Sequence, residues 1–424
     1  MIDIKKYLDN FNRGTKDNSL KAMKFFLKKY NNFVKNMKFI HIAGTNGKGS
    51  CTEIISNILI NQGYKVGKFS SPHLIKYNER ISIDNKEITN LQMENIIIEL
   101  QPLIEEYNEK EEKKVTFFEL ITIMALLYFY RNNVDFVVLE VGLGGLYDCT
   151  NIVINVVASV ITSIGYDHMS ILGDTLEKIA YQKAGIIKKG SYCIINSTKK
   201  SIDDIFINEC EKKNNKLYII NSNDIKNYKY SNKYQYFDYK ELKNLCTNLK
   251  GKVQISNICL CLEVMSILKK LGYKVSIKNI RKGLKNVIHK GRFEELSKKP
   301  LIIFDGAHNE PAIKNLQQNI KMYYKNRKRL YIISILKSKD YDKMLKLMAE
   351  DKNSTFILTS GIDKKSFVKS DDLYICMKKY ISCKNLYKMK LDKAILYVLN
   401  SNRNVVNFII GSFYTYEAVK NVIK

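Results

Sequence analysis

Apolar residues recur at helical spacing over 3–10 and 19–30, after which a compact apolar run at 38–43 predicts a strand. A glycine-rich turn separates that run from an apolar-periodic segment, 50–62, which predicts a helix; a strand at 65–69 and a polar loop follow. Helices are expected over 90–107 and 117–130, then a strand over 134–141, a strand over 153–162, a helix over 174–185 and a strand over 191–195. The stretch 221–250 is rich in tyrosine, asparagine and lysine and predicts an irregular or antiparallel excursion, before a long helix at 252–270. Around His289–Pro300 the pattern restarts: strand 301–305, helix 310–324, strand 329–335, helix 339–349, strand 354–358, helices 371–380 and 391–400, strand 405–410 and helix 412–422. Strands alternating with helices imply parallel sheets covered on both faces. The expected fold class is α/β with two domains, a larger doubly wound sheet domain over 1–295 and a smaller Rossmann-like domain over 296–424, with no internal repeat or low-complexity linker.

Composition narrows the class. A chain of 424 residues is long for one domain, and 45% hydrophobic with 26% charged residues supplies two cores and excludes wholesale disorder. The start, Met1-Ile2-Asp3-Ile4-Lys5-Lys6, lacks the pattern of a secretory leader. The longest apolar stretches, near 120–130 and 152–164, are too short or too mixed to span a bilayer, so no membrane partner is expected; a cytoplasmic monomer is the expectation for the chain. Nine cysteines form no paired framework, and the lone Cys259-x-Cys261 falls on a predicted helix, which fits reduced thiols. The net charge of +28 invites nucleic acid as a partner, but the lysines are spread along the whole chain and no aromatic residues interleave with a basic cluster. That distribution argues for anionic small substrates and against nucleic acid.

The densest chemistry lies at residues 39–50, Phe-Ile-His-Ile-Ala-Gly-Thr-Asn-Gly-Lys-Gly-Ser. A strand, a glycine loop and a helix in succession form a phosphate cradle: backbone N–H groups approach phosphate oxygens and the helix N-terminus adds partial positive charge. Lys48 can reach the terminal phosphates and Ser50 a metal ion. The spacing departs from the common phosphate-loop pattern, since Ile42 stands where its first glycine would be and Gly49 separates Lys48 from Ser50. In open parallel sheets ligands bind beyond the carboxyl ends of the strands. Three further predicted strands end suggestively, in Ser70-Ser71-Pro72-His73, in Glu140-Val141-Gly142-Leu143-Gly144-Gly145 and in Ser163-Ile164-Gly165-Tyr166-Asp167-His168. Mg²⁺ prefers oxygen ligands, which makes Ser71 and Glu140 natural partners and His168 a less usual one. The five histidines, 41, 73, 168, 289 and 308, all lie in or beside such segments, with a structural role open for His41 and His289.

These motifs resemble the folylpolyglutamate synthase and dihydrofolate synthase family of the Mur ligase superfamily. The resemblance rests on GTNGKGS at 44–50, SSPHLIKYNERISI at 70–83, TFFE at 116–119, EVGLGG at 140–145, TSIGYDH at 162–168, EKIAYQKAGIIK at 177–188, GRFE at 291–294 and DGAHN at 305–309. It implies an enzyme that uses ATP and Mg²⁺ to phosphorylate a folate or pteroate carboxylate, giving an acyl phosphate that the amine of L-glutamate attacks. It implies that Thr45, Asn46, Gly47, Lys48, Gly49 and Ser50 hold the nucleotide phosphates, with the amides of Asn46, Gly47 and Gly49 on phosphate, and that Ser71, Glu140 and His168 surround the metal. Lys183 falls where the family carries a carbamylated lysine, an anionic metal ligand; the alternative is a plain lysine on a helix face. Arg292 is implied as a phosphate clamp, Asp305 and His308 over the nucleotide or the reacting carboxylate, and Gln254 and Asn257 as nucleotide contacts. His73, Arg80, Asp148 and Ser412 are implied around the substrates, although Arg80 could equally hold its loop and Ser412 cap a helix. Residues from both domains imply closure during turnover.

The chain also departs from the family pattern. EVGLGG continues as Leu146-Tyr147-Asp148-Cys149-Thr150-Asn151, so the usual arginine is replaced by Leu146. The usual histidine of the Gly-x-His-Gln segment is absent from Gly251-Lys252-Val253-Gln254-Ile255-Ser256-Asn257, and His289-Lys290 stand where tryptophan-proline is usual. Two other readings stand beside this one: another Mur-type amino-acid ligase, and a nucleic-acid-stimulated phosphate-loop ATPase.

Overall fold

The computed structural model describes residues 2–12, 19–363, 365–400 and 404–423; Met1, at the head of the N-terminal segment, lies outside them. The chain forms two compact units, Met1–Asn248 with Gln254–Val287, and Leu249–Val253 with Ile288–Lys424.

The first unit contains eight strands of one sheet: β1 (Phe39–Ala43), β2 (Val66–Phe69), β3 (Ile81–Ile83), β4 (Lys86–Glu87), β5 (Phe136–Glu140), β6 (Val156–Ile161), β7 (Tyr192–Asn196) and β8 (Lys216–Ile220). Their order is β4-β3-β2-β5-β1-β6-β7-β8. β3 pairs antiparallel with both β2 and β4, and all other neighbours run parallel. β1 and β5 are buried at every position, as their unbroken apolar runs require of strands covered on both faces. One face is covered by the helices Lys21–Lys29, Asn90–Lys110 and Phe117–Arg131, whose core includes Phe26, Ile97 and Phe129. The same face continues under Leu176–Ala184 and Lys200–Lys212, with Ala180, Ile202 and Phe206 packed against Ile161 and Ile195, and the opposite face carries Lys48–Gln62, whose Glu53 pairs with Lys68 of β2. From β1 the chain crosses toward β2 and from β6 toward β7 on the other side, which makes the adjoining carboxyl ends of β1 and β6 the switch point of the sheet.

The excursion at 221–250 is an antiparallel sheet of three strands, β9 (Ile225–Tyr230), β10 (Gln235–Tyr239) and β11 (Leu242–Thr247). The long helix that follows, Lys252–Lys270, has the bounds its periodicity predicts.

The second unit holds β12 (Glu294–Lys298), β13 (Leu301–Asp305), β14 (Lys328–Ile333), β15 (Thr355–Leu358), β16 (Leu386–Lys388) and β17 (Val405–Ile410) in the order β12-β13-β17-β14-β15-β16. All pairs are parallel except β12 with β13. This hairpin, with Glu294 and Glu295, lies in the second unit, whose longer segment starts at Ile288. Its core gathers Ile303, Ile313, Tyr331, Phe356 and Phe408. Both units carry mixed α/β sheets, as expected. Among the described residues no helix is long and apolar enough to cross a membrane, and all nine cysteines are unbridged.

Candidate active site

The glycine loop leaves β1 at Ala43 and enters the helix Lys48–Gln62. Gly47, at the helix N-cap, has φ +95°, a left-handed conformation open to glycine. A side chain there would meet Asn257, since a Cβ would lie 2.7 Å from Asn257 Oδ1. Asn257, buried on the helix Lys252–Lys270, donates through Nδ2 to Gln254 Oε1 at 3.2 Å, so the two predicted nucleotide contacts stand together against the loop. Lys48 Nζ donates to Gly44 O at 3.0 Å and to Thr45 O at 3.4 Å, which folds the ammonium back over the loop. The first N–H groups of the helix, Gly49 and Ser50 among them, have no partner within the helix and leave a positive end at this point.

The Asn46 amide, expected on phosphate, is committed elsewhere: it donates to Ser163 Oγ at 3.0 Å in the loop after β6. That loop runs on to His168, which stands at φ +51° before the short helix Met169–Leu172, half-exposed, with its backbone N–H on Asp167 Oδ1.

Glu140 ends β5, opposite Ile42 of β1, and its buried carboxylate accepts the Ser71 backbone N–H at 3.0 Å. The structure thus joins the predicted metal pair, through the Ser71 amide. Among the described residues no three His, Cys, Asp or Glu side chains converge as a metal cluster. One buried carboxylate beside one hydroxyl is a sparse, hard-oxygen set, which fits Mg²⁺ because that ion keeps much of its water shell.

Lys183 is almost fully buried on Leu176–Ala184. Burial and then the charge of Lys48 bring its amine down to about 7, against the opposing pull of Asp167 and Asp148. A lysine packed inside, near one cation and two carboxylates, is not a helix-face lysine.

Three predicted substrate contacts face inward. Asp148 is buried and accepts from Leu143 N at 2.8 Å, Thr150 N at 3.0 Å and Thr150 Oγ1 at 2.5 Å. Its carboxylate holds the glycine turn 142–150 together and is not presented to a ligand; burial raises its pKa against these hydrogen bonds. Thr150 Oγ1 in turn meets His41 Nε2 at 2.9 Å. Because the hydroxyl donates to Asp148, it accepts from His41, whose burial, with Lys188 nearby, pulls its pKa to about 3 and leaves it neutral. Arg80, also buried, donates from Nε to His73 Nδ1 at 2.9 Å and lies 5.2 Å over the Phe117 ring. Both residues of that pair hold their own loop, alongside Glu79, whose carboxylate accepts the Leu74, Ile75 and Lys76 amides at 2.9 Å each. Ser412 is the third: its buried Oγ accepts Tyr414 N at 3.2 Å, which makes it a helix-entry cap.

In the second unit, β13 ends in Asp305, whose buried carboxylate accepts Phe293 N at 2.9 Å and Ala307 N at 2.8 Å. Burial raises its pKa, and Arg292 opposes the shift. The Arg292 guanidinium lies 4.4 Å over the Phe413 ring, and the His308 ring stands edge-on to the same ring at 5.8 Å. His308 Nδ1 is 2.8 Å from Gly306 O. The structure therefore gathers Arg292, Asp305 and His308 at the adjacent ends of β13 and β17, on an aromatic platform. Phe413 was missed from sequence, where one phenylalanine after Gly411-Ser412 carries no signal of its own; Thr162 and Ser163 were seen only as part of a motif.

This geometry is that of a phosphate-loop ligase, and residues 42–265 match the Mur ligase middle domain, more than half of the chain. The dihydrofolate synthase/folylpolyglutamate synthase of Bacillus subtilis is 32% identical over 400 residues, covering 92% of this chain and 91% of that protein. The Escherichia coli protein of the same name is 32% identical over 340 residues, 79% of this chain and 76% of its own. Among solved structures, folylpolyglutamate synthase from Thermotoga maritima is similar with a TM-score of 0.84 at 30% identity, covering 99% of this chain and 96% of that one. Escherichia coli FolC in complex with DHPP and ADP gives a TM-score of 0.84 at 28% identity, with 99% and 96% covered. The chain belongs to the dihydrofolate synthase/folylpolyglutamate synthase family of Mur ligases, as its motifs imply.

Proposed function

We propose that this chain is an ATP-dependent ligase that joins L-glutamate to reduced folates and, by the same chemistry, to dihydropteroate. The observation that carries this reading is the seat of Gly44–Ser50 at the carboxyl end of β1, between Glu140 at the end of β5 and the 162–168 loop after β6. Phosphoryl transfer depends chiefly on positioning and on neutralising charge. Lys48 and the amides of Gly47, Gly49 and Ser50 supply that charge to the phosphates. A carboxylate oxygen of the acceptor attacks the γ-phosphorus, the bond to the ADP oxygen breaks, and an acyl phosphate forms. The glutamate amine then attacks the acyl carbon, inorganic phosphate leaves, and the nitrogen loses its proton.

Mg²⁺, when bound, offsets phosphate charge; Glu140 and Ser71 would hold it, with His168 as a further donor. Lys183, with an amine near 7, is neutral often enough to take up CO₂ as a carbamate, which would convert a buried cation into an anion. Arg292 serves the phosphates and His308 the reacting carboxylate or nucleotide, while Asp305 acts through the 305–309 turn that it holds. Gln254 and Asn257 line the nucleotide side. The first unit is the ATP-binding domain and the second the C-terminal ligase domain of a cytoplasmic monomer.

The test is phosphate release from ATP with dihydropteroate, tetrahydrofolate or a nucleotide-linked muramyl acceptor, each with and without L-glutamate. Turnover requiring glutamate together with a pteridine acceptor is expected. Turnover with the muramyl acceptor alone would assign the chain to another branch of the Mur ligases.

A further inference from the structure

We infer that Thr162 and Ser163, in the loop after β6, are positioning residues that orient the phosphate loop for the nucleotide. The inference rests on the phosphate-loop reading given above. Thr162 Oγ1 donates to Asn46 O at 2.7 Å and Ser163 Oγ donates to the same oxygen at 2.9 Å. Ser163 Oγ also accepts the Asn46 N–H at 3.0 Å, and Ser163 O accepts Thr45 N at 2.7 Å. Beside them, Thr45 Oγ1 donates to Gly165 O at 3.0 Å and accepts Gly165 N at 3.1 Å. Thr162 also sits hard against Gly44, where a Cβ would lie 1.8 Å from its Oγ1.

The consequence follows from the planarity of the peptide. In a trans peptide the C=O and the following N–H point in opposite directions. Two hydroxyls fixing Asn46 C=O toward the β6 loop therefore turn the Gly47 N–H away from it. By the same rule, Thr45 N–H on Ser163 O turns Gly44 C=O outward, and that carbonyl is the one that receives Lys48 Nζ at 3.0 Å. Two of the groups proposed to bind phosphate, the Gly47 amide and the Lys48 ammonium, thus take their direction from the loop after β6. The segment that supplies the hydroxyls continues within five residues to Asp167 and His168, so the phosphate loop and the proposed metal side are held by one piece of chain.

The test is nucleotide binding, read by displacement of a fluorescent ADP analogue from the full chain, alongside steady-state ligation. Thr162→Val with Ser163→Ala removes both hydroxyls and is expected to weaken ADP and raise the KM for ATP by about tenfold or more, with kcat and the KM for glutamate changed by less than about threefold. Thr162→Ser, which keeps the hydroxyl, is expected to bind ADP within about twofold of wild type. ADP affinity within about twofold of wild type in the double variant would overturn the inference. If the double variant does not fold, the single Ser163→Ala variant decides by the same two thresholds. Binding is read without folate or glutamate, so a wild-type chain that binds ADP yet never ligates would sink the proposed reaction and still leave this inference tested.

Discussion

Lys48 and Lys183 share one electrostatic neighbourhood, and the charge of the first, added to burial, depresses the second to about 7. In the unfolded chain a lysine keeps its proton to about 10.4. Between these values the unfolded state binds more protons, so folding stability rises with pH across the window and the full cost of burying the cation is felt below pH 7. Lys183→Met removes that term. Urea denaturation at pH 7 and pH 9.5 should show wild type gaining a few kcal/mol more than the variant, at about 1.4 kcal/mol per pKa unit. Equal gains in both proteins would contradict the assignment. In bicarbonate the wild-type difference should shrink, because a carbamate is no longer a buried cation.

Lys48→Ala tests the other member of the pair. Its hydrogen bonds run to two carbonyls of its own loop, so removal should spare the fold and strike the transition state. Ligation is expected to fall about 10²–10³-fold in kcat, the range for losing one preorganised charge contact. The thermal midpoint should stay within a few degrees of wild type. The same variant should raise the Lys183 amine above 7, visible as a shift to higher pH in the stability profile described above. Near-normal turnover in Lys48→Ala would remove the phosphate loop from the mechanism.

Thr150 carries a separate prediction. Its hydroxyl bridges the neutral His41 ring and the Asp148 carboxylate, all within the buried wall of the sheet. Thr150→Val keeps the shape and leaves a buried N–H and a buried carboxylate each short of one partner. A loss of about 1–3 kcal/mol is expected from chemical denaturation. Thr150→Ser, retaining the oxygen, should recover most of it. If valine costs no more than serine, the bridge is not what holds the 142–150 turn.

The central strands and the placement of the phosphate loop were legible because both leave local marks: β1 and β5 are unbroken apolar runs, and glycines cluster where the backbone must turn. Elements with a weaker local mark escaped. The helix Lys200–Lys212 buries only Ile202, Phe206 and Cys210 among charged neighbours, and β12 is mostly charged, as an edge strand can be. The β3–β4 hairpin turns on Asp84 and Asn85, both at positive φ, a pattern that short polar pairs favour but do not announce. At the site, the sequence left both a substrate role and a structural role open for Arg80 and Ser412, and gave Asp148 a substrate role alone. Each turns to a nearby partner, the His73 ring, the Leu143 and Thr150 amides, or the Tyr414 amide, and motif position alone does not distinguish an inward hydrogen bond from an outward one.

Gly47 offers the sharpest test of how closely the phosphate loop is fitted to the helix beside it. Two independent features forbid a side chain there: φ +95° and the 2.7 Å approach of Asn257 Oδ1 to a Cβ. Gly47→Ala therefore incurs backbone strain of about 1–2 kcal/mol and a steric conflict as well. Asn257→Ala relieves the conflict alone, at the expense of the hydrogen bond to Gln254. In a double-mutant cycle read by ADP affinity, the pair should bind more tightly than the sum of the single losses predicts, with a coupling of about 0.5–3 kcal/mol. Strict additivity would mean that Asn257 does not press on the loop in solution, and its place on the nucleotide side would fall with it.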